Sequence, residues 1–294
     1  GDMGGFVDRT VRKEPIGPVA AFPAWNFPAS LATRKMASAI AVGCSIIVKP
    51  AKETPVSFMA VVEALDKAGL PKGVVNILMG DSAKISQKLI ESPIIKKISF
   101  TGSTPVGQQL AALAGEQAKP CVMELGGHAP VVIFDDANIA KAIDLSVMTK
   151  SRNAGQVCIS PTRFFLQDAV YDEFLNGFSD KFSALKIGNG LDESTQMGPL
   201  ANPRRIAELD ALVNDAVEKG AKLITGGKSM EKAGFFYEAT VLADVPDTAK
   251  IMQEEPFGPI AIINRFNTYD EAISKANSTD FALASYLFTG SQET

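Results

Sequence analysis

Residues 97–107, KISFTGSTPVG, contain a predicted strand, a glycine-containing turn and the start of a helix in one short segment. The run Lys97–Phe100 predicts the strand. Thr101–Gly107 leads from it into a helix that extends to about Ala114. The segment therefore predicts one strand–turn–helix step of an α/β fold.

The same step recurs on both sides of this segment. Ser45–Val48 predicts a buried strand, and Thr54-Pro55 begins a helix that runs to Ala68 with its apolar residues on one face. Strands and helices that alternate with short connections form a parallel sheet with right-handed crossovers, which binds ligands at the carboxyl ends of its strands. By this fold-level analogy we expect a nucleotide-binding domain. Further strands are predicted at Gly73–Met79, Val122–Leu125 and Val131–Phe134, and a further helix from Asp81-Ser82 to about Ser92.

The second half of the chain continues the α/β pattern after a pair of glycines. Gly126-Gly127 interrupts the strand pattern, so we place a domain boundary there and divide the chain into residues 1–126 and 127–294. Helices are predicted at about Ile139–Ser151, Val170–Leu185 and Arg204–Lys219, and strands at Arg163–Gln167, Lys222–Thr225, Ala239–Leu242, Ile260–Phe266 and Ser285–Phe288.

Composition excludes several classes of function. The chain has 29 Lys and Arg against 33 Asp and Glu, a net charge of −4, and no basic block, which argues against a nucleic-acid partner. Three Cys without CxxC spacing and a single His argue against a disulfide scaffold and a metal site, and they favour a reducing compartment. No apolar run reaches membrane-spanning length and the start has no signal-peptide pattern, so we expect a cytoplasmic protein without a membrane partner.

Cys158 is the candidate nucleophile. It lies in the segment NAGQVCIS, residues 153–160, where small and polar neighbours favour a reactive thiol. A buried free cysteine is more often an inert small hydrophobe, and that alternative stays open for Cys158 from the residue alone. Cys44 and Cys121 fit the inert class.

Two further residues could take part in acid–base chemistry. Glu124 ends a predicted strand before two glycines, where its carboxylate can protrude and act as a base, although a solvated strand end is as good an interpretation. His128 is the only imidazole, and a lone His is more often held by local hydrogen bonds than catalytic.

Three turns could bind polar groups. Asn26, in the Trp-Asn-Phe-Pro turn, has an amide that can donate a hydrogen bond to a developing oxyanion. The default interpretation is that the turn is core packing and that Asn26 caps the turn. Thr101–Gly107 could cradle a phosphate at the start of a helix. Its glycine spacing differs from the usual dinucleotide fingerprint, so an ordinary strand–helix turn remains an alternative. The third turn, Glu254–Pro259, would by itself be interpreted as a loop.

Taken together, these segments closely resemble the NAD(P)-dependent aldehyde dehydrogenase superfamily, and within it the succinic semialdehyde branch. The 34-residue separation of Glu124 and Cys158 also matches that family. The resemblance implies a Rossmann-like parallel-sheet cofactor domain followed by an α/β catalytic domain. The segments that carry it are AWNFP (24–28), IIVKPA (46–51), FTGSTPVG (100–107), MELGG (123–127), GQVC (155–158) and EEPFGP (254–259).

The resemblance assigns a role to each matching residue. Cys158 would be the nucleophile and Glu124 the base, while Asn26 and the Cys158 backbone N–H would bind the oxyanion. The chemistry needs no metal. Ser103 would meet the cofactor pyrophosphate, Lys49 the adenosine ribose, and Glu255 the nicotinamide ribose. Phe257 would pack against the nicotinamide end. The full set of expected cofactor contacts is Trp25, Lys49, Lys52, Thr101, Gly102, Ser103, Glu255 and Phe257.

Departures from the family pattern refine these expectations. Lys52 replaces a Glu that is frequent in NAD-preferring relatives, so NADP is the expected cofactor, with NAD possible. Arg34 and Arg152 match arginines that bind the carboxylate of succinic semialdehyde, although Arg34 could instead form a surface ion pair. Glutarate and 2-oxoglutarate semialdehyde are the alternatives, because one methylene is worth only about 1–3 kcal/mol.

The length of the chain is the other departure. Compared with typical family members, this chain is expected to lack a piece at each end. The activity and the oligomeric state of these 294 residues alone are therefore open. We expect a homodimer or homotetramer for the full-length chain. A catalytically silent nucleotide-binding module of the same fold is the alternative from another functional class.

Overall fold

Five parallel strands form the sheet of the first of two units in the computed structural model, which describes residues 10–293. This unit comprises Gly1–Leu125 and the second comprises Gly126–Thr294. The elements of the first unit are β1 (Val19–Phe22), α1 (Pro28–Ala41), β2 (Ile46–Val48), α2 (Pro55–Lys67), β3 (Val75–Ile77), α3 (Ser82–Glu91), β4 (Lys97–Thr101), α4 (Thr104–Glu116) and β5 (Cys121–Glu124).

The strand order of this sheet is β3-β2-β1-β4-β5, and every pairing is parallel. The predicted parallel sheet is therefore confirmed. The chain runs from β1 outward to β3 and then crosses to β4 on the other side, so the strand order reverses between β1 and β4. In open α/β sheets such a reversal opens a crevice at the carboxyl ends of the strands.

Two apolar layers hold the helices against this sheet. On one face, Phe58 of α2 is fully buried, and Val61, Val62 and Leu65 pack on the same core, which confirms the predicted apolar face of that helix. On the other face, α3 and α4 bury Leu89, Ile90 and Leu110. The predicted start of α3 is confirmed as well, because the Asp81 carboxylate accepts a hydrogen bond of 2.8 Å from the Lys84 N–H. The order strand, helix, strand is thus set by local signals in the sequence.

The second unit is built on a six-stranded sheet of order β11-β6-β7-β10-β9-β8. All neighbours in this sheet are parallel except β8, which runs antiparallel to β9. The sequence pattern does not predict α8 (Tyr269–Ala276), which is short and largely polar. The elements are β6 (Ala129–Ile133), α5 (Ile139–Ser151), β7 (Pro161–Gln167), α6 (Asp168–Ser183), α7 (Pro203–Glu218), β8 (Lys222–Thr225), β9 (Thr240–Ala243), β10 (Ile260–Phe266), α8 and β11 (Tyr286–Phe288).

Aromatic side chains form the centre of the second core. Phe174, Phe178 and Phe182 are spaced one helical turn apart on α6 and are fully buried. Phe178 lies 5.4 Å, ring centre to ring centre, from Phe164 of β7. Stacked and tilted ring pairs of this kind stabilise a core beyond their buried area. This packing fixes α6 on β7, the strand that begins just after the candidate thiol. No helix within residues 10–293 is long and apolar enough to span a membrane.

Candidate functional site

The turn between β4 and α4 has open hydrogen-bonding groups. Thr101 is buried, and its Oγ1 has no hydrogen-bond partner among the described residues. Ser103 precedes α4 without a side-chain hydrogen bond to the first turn of the helix. Unpaired N–H groups at a helix start, together with the helix dipole, favour an anion. The turn can therefore accept a phosphate group, as the resemblance implies.

The two glycines of this turn serve packing. A Cβ atom at Gly102 would lie 2.5 Å from Cζ of Phe100, and one at Gly107 would lie 2.2 Å from Cδ2 of Leu125. Both distances are shorter than van der Waals contact. Gly102 also donates a 3.0 Å hydrogen bond to the carbonyl of Glu124, which ties the turn to β5. The unusual glycine spacing thus reflects the packing of α4 against its own sheet.

Lys49 and Lys52 follow β2 at the same edge of the sheet. Lys49 is buried, and its Nζ donates a 2.6 Å hydrogen bond to Oγ of Ser82 at the start of α3. Burial lowers the pKa of Lys49; the charges of Glu53 and Asp81 oppose that shift, whereas Lys52 adds to it. Lys52 is exposed to solvent. A hydrogen-bonded lysine, Lys49, and an exposed lysine, Lys52, therefore lie at the carboxyl end of β2. The resemblance predicts a ribose contact for Lys49 and a phosphate contact for Lys52.

Asn26 lies in the bend between β1 and α1. The helix begins at Pro28, and its N-cap is Phe27, which makes no side-chain capping bond. Asn26 therefore does not occupy the N-cap position of α1, and its role in the turn stays a prediction. The amide is half-buried, as is the neighbouring Trp25. Arg34 is exposed on α1.

Lys35 is a residue that the sequence reasoning missed. It lies on α1, and its Nζ donates a 2.9 Å hydrogen bond to Oγ of Ser99 on β4. Burial lowers the pKa of Lys35 to about 8, and the charge of Glu124 opposes that shift. Glu124 ends β5, directly beside Thr101 in the parallel register, with an exposed side chain. A lysine with a lowered pKa beside a carboxylate is typical of functional sites.

In the second unit, Cys158 is presented by a left-handed turn. The chain leaves α5 at Ser151, and Asn153, Ala154 and Gly155 have φ of 49°, 51° and 70°. Such a run is unfavourable for residues with a side chain and persists where the surroundings impose it. A Cβ at Gly155 would lie 2.0 Å from the carbonyl oxygen of Gly258, so the Glu254–Pro259 loop packs directly on this turn. Cys158 itself is half-buried.

Gly127 packs against the other side of the turn that carries Cys158, residues 152–158, called the thiol turn below. A Cβ at Gly127 would lie 2.1 Å from the carbonyl oxygen of Cys158. Any side chain there would displace the thiol turn, so the second glycine of the MELGG segment is required by close approach. A Cβ at Gly126 would likewise lie 2.6 Å from Oε2 of Glu255. The absence of side chains at these two glycines thus lets the thiol turn and the loop Glu254–Pro259, called the acidic loop below, approach closely.

Glu255 and Phe257 belong to that acidic loop. Oε1 of Glu255 accepts a 3.3 Å hydrogen bond from the Gly127 N–H. Burial raises the pKa of Glu255 to about 7, while the Gly127 N–H, Arg205 and Lys150 oppose the rise. Phe257 has a left-handed φ of 41°, and its ring faces the Arg205 guanidinium at 5.9 Å. A carboxyl group with a pKa near neutral pH therefore lies beside the turn that carries Cys158.

His128 is held by local hydrogen bonds, as the sequence reasoning favoured. It is buried, its Nε2 donates to the Ile251 carbonyl at 2.9 Å, and its Nδ1 lies 2.8 Å from Oγ1 of Thr162. The carbonyl accepts only, so Nε2 carries the hydrogen and Nδ1 accepts from the hydroxyl. Burial lowers the pKa of His128 to about 3, and Arg163 contributes in the same direction. The ring is therefore a neutral structural group at physiological pH.

The predicted residues fall into two groups, one in each unit. Cys158 and Arg152 share the turn after α5, Arg152 being exposed, and Glu255 and Phe257 lie in the loop packed on it. Asn26, Glu124, Lys49, Lys52 and Thr101–Ser103 belong to the first unit. The joint action of both groups on one substrate stays a prediction. Within residues 10–293, no three His, Cys, Asp or Glu side chains are grouped as metal ligands would be.

Comparison with known proteins identifies relatives over nearly the whole chain. The sequence model of the aldehyde dehydrogenase family matches residues 6–294. The chain is 48% identical over 281 residues, 96% of its length, to 4-(hydroxymethyl)benzenesulfonate dehydrogenase TsaD1 of Comamonas testosteroni. It is 43% identical over 278 residues, 95% of its length, to the NADP-dependent succinate-semialdehyde dehydrogenase GabD of Escherichia coli K12.

A solved structure agrees with these matches. Succinate-semialdehyde dehydrogenase from Burkholderia pseudomallei superposes with a TM-score of 0.94 at 41% identity, covering 96% of this chain and 58% of that one. The chain likewise spans 58% of the length of TsaD1 and of GabD. The expected Rossmann-like and α/β architecture is thereby confirmed.

Proposed function

The chain belongs to the aldehyde dehydrogenase family, and from that premise we propose that the whole protein oxidises an aldehyde bearing a fixed negative charge to its carboxylic acid with NADP. Succinic semialdehyde is the first candidate substrate. The observation that carries the proposal is the turn after α5, which presents Cys158 and places Arg152 at its start. A nucleophilic thiol and a guanidinium on one turn suit an aldehyde at one end of a short chain and an anion at the other.

In the proposed reaction, the Cys158 thiolate, formed by loss of its proton to solvent, bonds through Sγ to the aldehyde carbon, and the C=O π bond breaks so that the carbonyl oxygen becomes an oxyanion. The backbone N–H of Cys158 and the amide of Asn26 would donate hydrogen bonds to that oxyanion. The bound cofactor would supply the hydride acceptor that turns the adduct into a thioester. Glu124 would then take a proton from water as the water oxygen bonds to the thioester carbon. The C–S bond breaks and releases the acid and the Cys158 thiolate.

The residues of the first unit fit a dinucleotide cofactor. The buried Thr101 hydroxyl and the open start of α4 at Ser103 suit a pyrophosphate. Lys49, whose Nζ donates a hydrogen bond to Oγ of Ser82, is the group proposed for a ribose hydroxyl. In the second unit, Glu255 is the group proposed for the nicotinamide ribose and Phe257 for the nicotinamide side. We propose these contacts as a set with Trp25, Lys52 and Gly102.

The exposed Lys52 is the basis of the NADP preference. Its ammonium attracts the 2′-phosphate of NADP, whereas a Glu there would repel it. We expect kcat/KM for NADP to exceed that for NAD by about tenfold, and Lys52→Glu to remove the preference. Steady-state kinetics with both cofactors measures this ratio. Equal kcat/KM values in the native protein would contradict the assignment.

The names of the relatives support an anionic substrate without choosing one. GabD is named for succinate semialdehyde, which carries a carboxylate, and TsaD1 for a compound that carries a sulfonate. A sulfonated aldehyde is therefore the second candidate, next to glutarate and 2-oxoglutarate semialdehyde. All four share a fixed anion, for which the planar guanidinium of Arg152 is suited.

Arg152→Ala tests the proposed function. We expect KM for succinic semialdehyde to rise about 30-fold or more, because a charge-assisted bidentate contact is lost, and kcat to change less. An uncharged aldehyde of equal length is the matched control and should keep its KM. NADPH formation followed by absorbance, with glutarate semialdehyde and a sulfonated benzaldehyde in parallel, ranks the substrates.

Two results would contradict the proposal. If Arg152→Ala impairs charged and uncharged aldehydes equally, Arg152 does not bind the anion. If the native protein binds NADP and forms no NADPH with any of these aldehydes, the silent nucleotide-binding module is the better interpretation. The cytoplasmic location and the homodimer or homotetramer stay predictions.

A further inference from the structure

Cys158 and Ile159 are the two central residues of a β-turn over residues 157–160. The Ser160 N–H donates a 2.8 Å hydrogen bond to the Val157 carbonyl and closes this β-turn. The closing bond uses neither the Cys158 carbonyl nor the Ile159 carbonyl. The orientation of the two peptide groups that follow the thiol therefore depends on contacts with other segments of the chain.

Two segments distant in the chain contact these two carbonyls. The first is Gly127, where a Cβ would lie 2.1 Å from the Cys158 carbonyl oxygen. The second is β11, an edge strand that pairs with β6, from which the Tyr286 hydroxyl donates a 2.5 Å hydrogen bond to the Ile159 carbonyl. The segment before β11 reaches the first contact as well, since a Cβ at Gly127 would lie 3.4 Å from Cβ of Leu283. Both peptide groups after Cys158 thus meet groups from outside the β-turn.

The ends of the β-turn are buried, whereas Ile159 is not. Val157 and Ser160 are buried, and Oγ of Ser160 accepts a 3.4 Å hydrogen bond from Nζ of the buried Lys150. Ile159 is 42% exposed, so its side chain contributes less packing than its neighbours do. The hydrogen bond from Tyr286 is therefore the directional contact that ties the exposed part of the β-turn to the sheet.

The Tyr286 hydroxyl is suited to a permanent donor role. The side chain is half-buried, which partly shields its hydrogen bond from water. Burial raises the pKa of Tyr286, and the charge of Cys158 adds to the rise. A phenol ordinarily ionises near pH 10, so both effects keep Tyr286 protonated at neutral pH. Its proton is then available to the Ile159 carbonyl whether or not the thiol is ionised.

We propose that Tyr286 is a positioning residue that holds the Ile159 carbonyl and so fixes the direction in which the Cys158 side chain meets the aldehyde. The inference rests on the proposed function, in which Cys158 is the nucleophile. Attack on a carbonyl carbon requires aligned reacting atoms, and a misplacement of about 1 Å can cost about 100-fold in rate. The hydroxyl of Tyr286 thus serves bond formation by Cys158 and leaves the binding of aldehyde and cofactor to other residues.

Tyr286→Phe is the test variant, because phenylalanine keeps the ring and removes the hydroxyl. We expect the single-turnover rate of NADPH formation with succinic semialdehyde to fall about tenfold. The half-saturating aldehyde concentration and the Kd for NADP should stay within about twofold, since neither ligand contacts the hydroxyl in this proposal. Stopped-flow absorbance of the native protein and the variant measures the first two quantities, and calorimetry measures the third. A native rate in the variant would overturn the inference.

Tyr237→Phe is the matched control in the same unit. The buried Tyr237 hydroxyl donates a 2.9 Å hydrogen bond to Oδ1 of Asp210 on α7, so this variant also loses one tyrosine hydrogen bond. We expect Tyr237→Phe to lower Tm at least as much as Tyr286→Phe does and to keep the single-turnover rate within about twofold. An equal loss of rate in the two variants would show that stability, and not the position of the thiol, sets the rate.

Amide hydrogen exchange tests the hold on the β-turn without any activity. Without the Tyr286 bond the β-turn opens more often, so a peptide covering residues 155–162 should exchange about fivefold faster in Tyr286→Phe. A peptide covering α6 should keep its native exchange rate. Acceleration to the same extent in both peptides is the result of a purely structural role and would overturn the inference, as would native exchange in residues 155–162.

The inference and the proposed function fail in different ways. A native protein that forms no NADPH with any of the aldehydes overturns the proposed function, and amide exchange then still decides whether Tyr286 holds the β-turn. If the native protein forms NADPH and Tyr286→Phe does so at the native rate, the proposed function stands and Tyr286 is not a positioning residue.

Discussion

Replacing Cys158 with alanine is expected to abolish aldehyde oxidation, with kcat reduced at least about 10⁴-fold. The proposed reaction passes through a bond between Sγ and the aldehyde carbon, and no other group on the turn after α5 can form a thioester. The backbone of this turn is fixed by the contacts of Gly155 with Gly258 and of Gly127 with Cys158, so alanine should leave it in place. NADPH formation measures kcat, and calorimetry should show unchanged NADP binding.

Cys121→Ala is the matched control for this prediction. Cys121 is a half-buried free thiol in β5, outside the proposed catalytic set, so its removal should leave kcat within about twofold. Aldehyde oxidation that survives Cys158→Ala would refute the thioester mechanism. A loss of NADP binding in the same variant would instead show that the substitution disturbs the fold.

Replacing Arg163 with leucine should destabilise the second unit by at least about 4 kcal/mol. Arg163 is buried in β7, with Nε donating to the His128 carbonyl at 3.0 Å. Its Nη1 and Nη2 donate to the carbonyls of Lys275 and Ala276, each at 3.0 Å, at the carboxyl end of α8. Leucine removes all three hydrogen bonds, although Ser278 still donates to the Lys275 carbonyl, and it removes a cation from the negative end of the helix dipole. We expect a fall in Tm of about 10 °C, measured by circular dichroism.

Arg265→Leu provides the comparison on the adjacent strand. Arg265 of β10 pairs with Asp168 and Asp172 at 2.7 and 2.8 Å, but it is more than a third exposed. Exposed ion pairs contribute about 0–1 kcal/mol, so its loss should lower Tm by no more than about 3 °C. Equal effects of the two substitutions would contradict the assignment of Arg163 as the buried anchor of α8.

Most elements of the fold could be predicted because their signals are local. The helix Pro55–Lys67 begins with a proline and carries its apolar residues at helical spacing, and α3 begins at an aspartate cap. By contrast, α8 has a single fully buried side chain, Ala272, and its carboxyl end is capped by Arg163 from β7. The start of α8 has a local signal, because Thr268 accepts a hydrogen bond from the Glu271 N–H, but its stabilisation by a residue more than a hundred positions away has none.

The candidate site divides in the same way. Cys158, Glu124 and Asn26 could be named from short motifs, because each chemistry needs a particular residue type at a particular turn. Lys35 and Lys150 could not, since a lysine on a helix is usually solvated and nothing nearby in sequence shows that either is buried. Their lowered pKa values arise from desolvation, which depends on which elements pack around them.

The glycines show most clearly what each level of information contributes. Residue types and their spacing along the chain are enough to identify the family and most of the order of strands and helices, and they nominate the candidate reactive groups. The folded structure adds that a side chain at Gly127 would meet the Cys158 carbonyl and one at Gly155 the Gly258 carbonyl. It also adds that Glu255 accepts a hydrogen bond from the Gly127 amide. Steric contact and burial are relations between segments distant in the chain, and they exist only once the chain has folded.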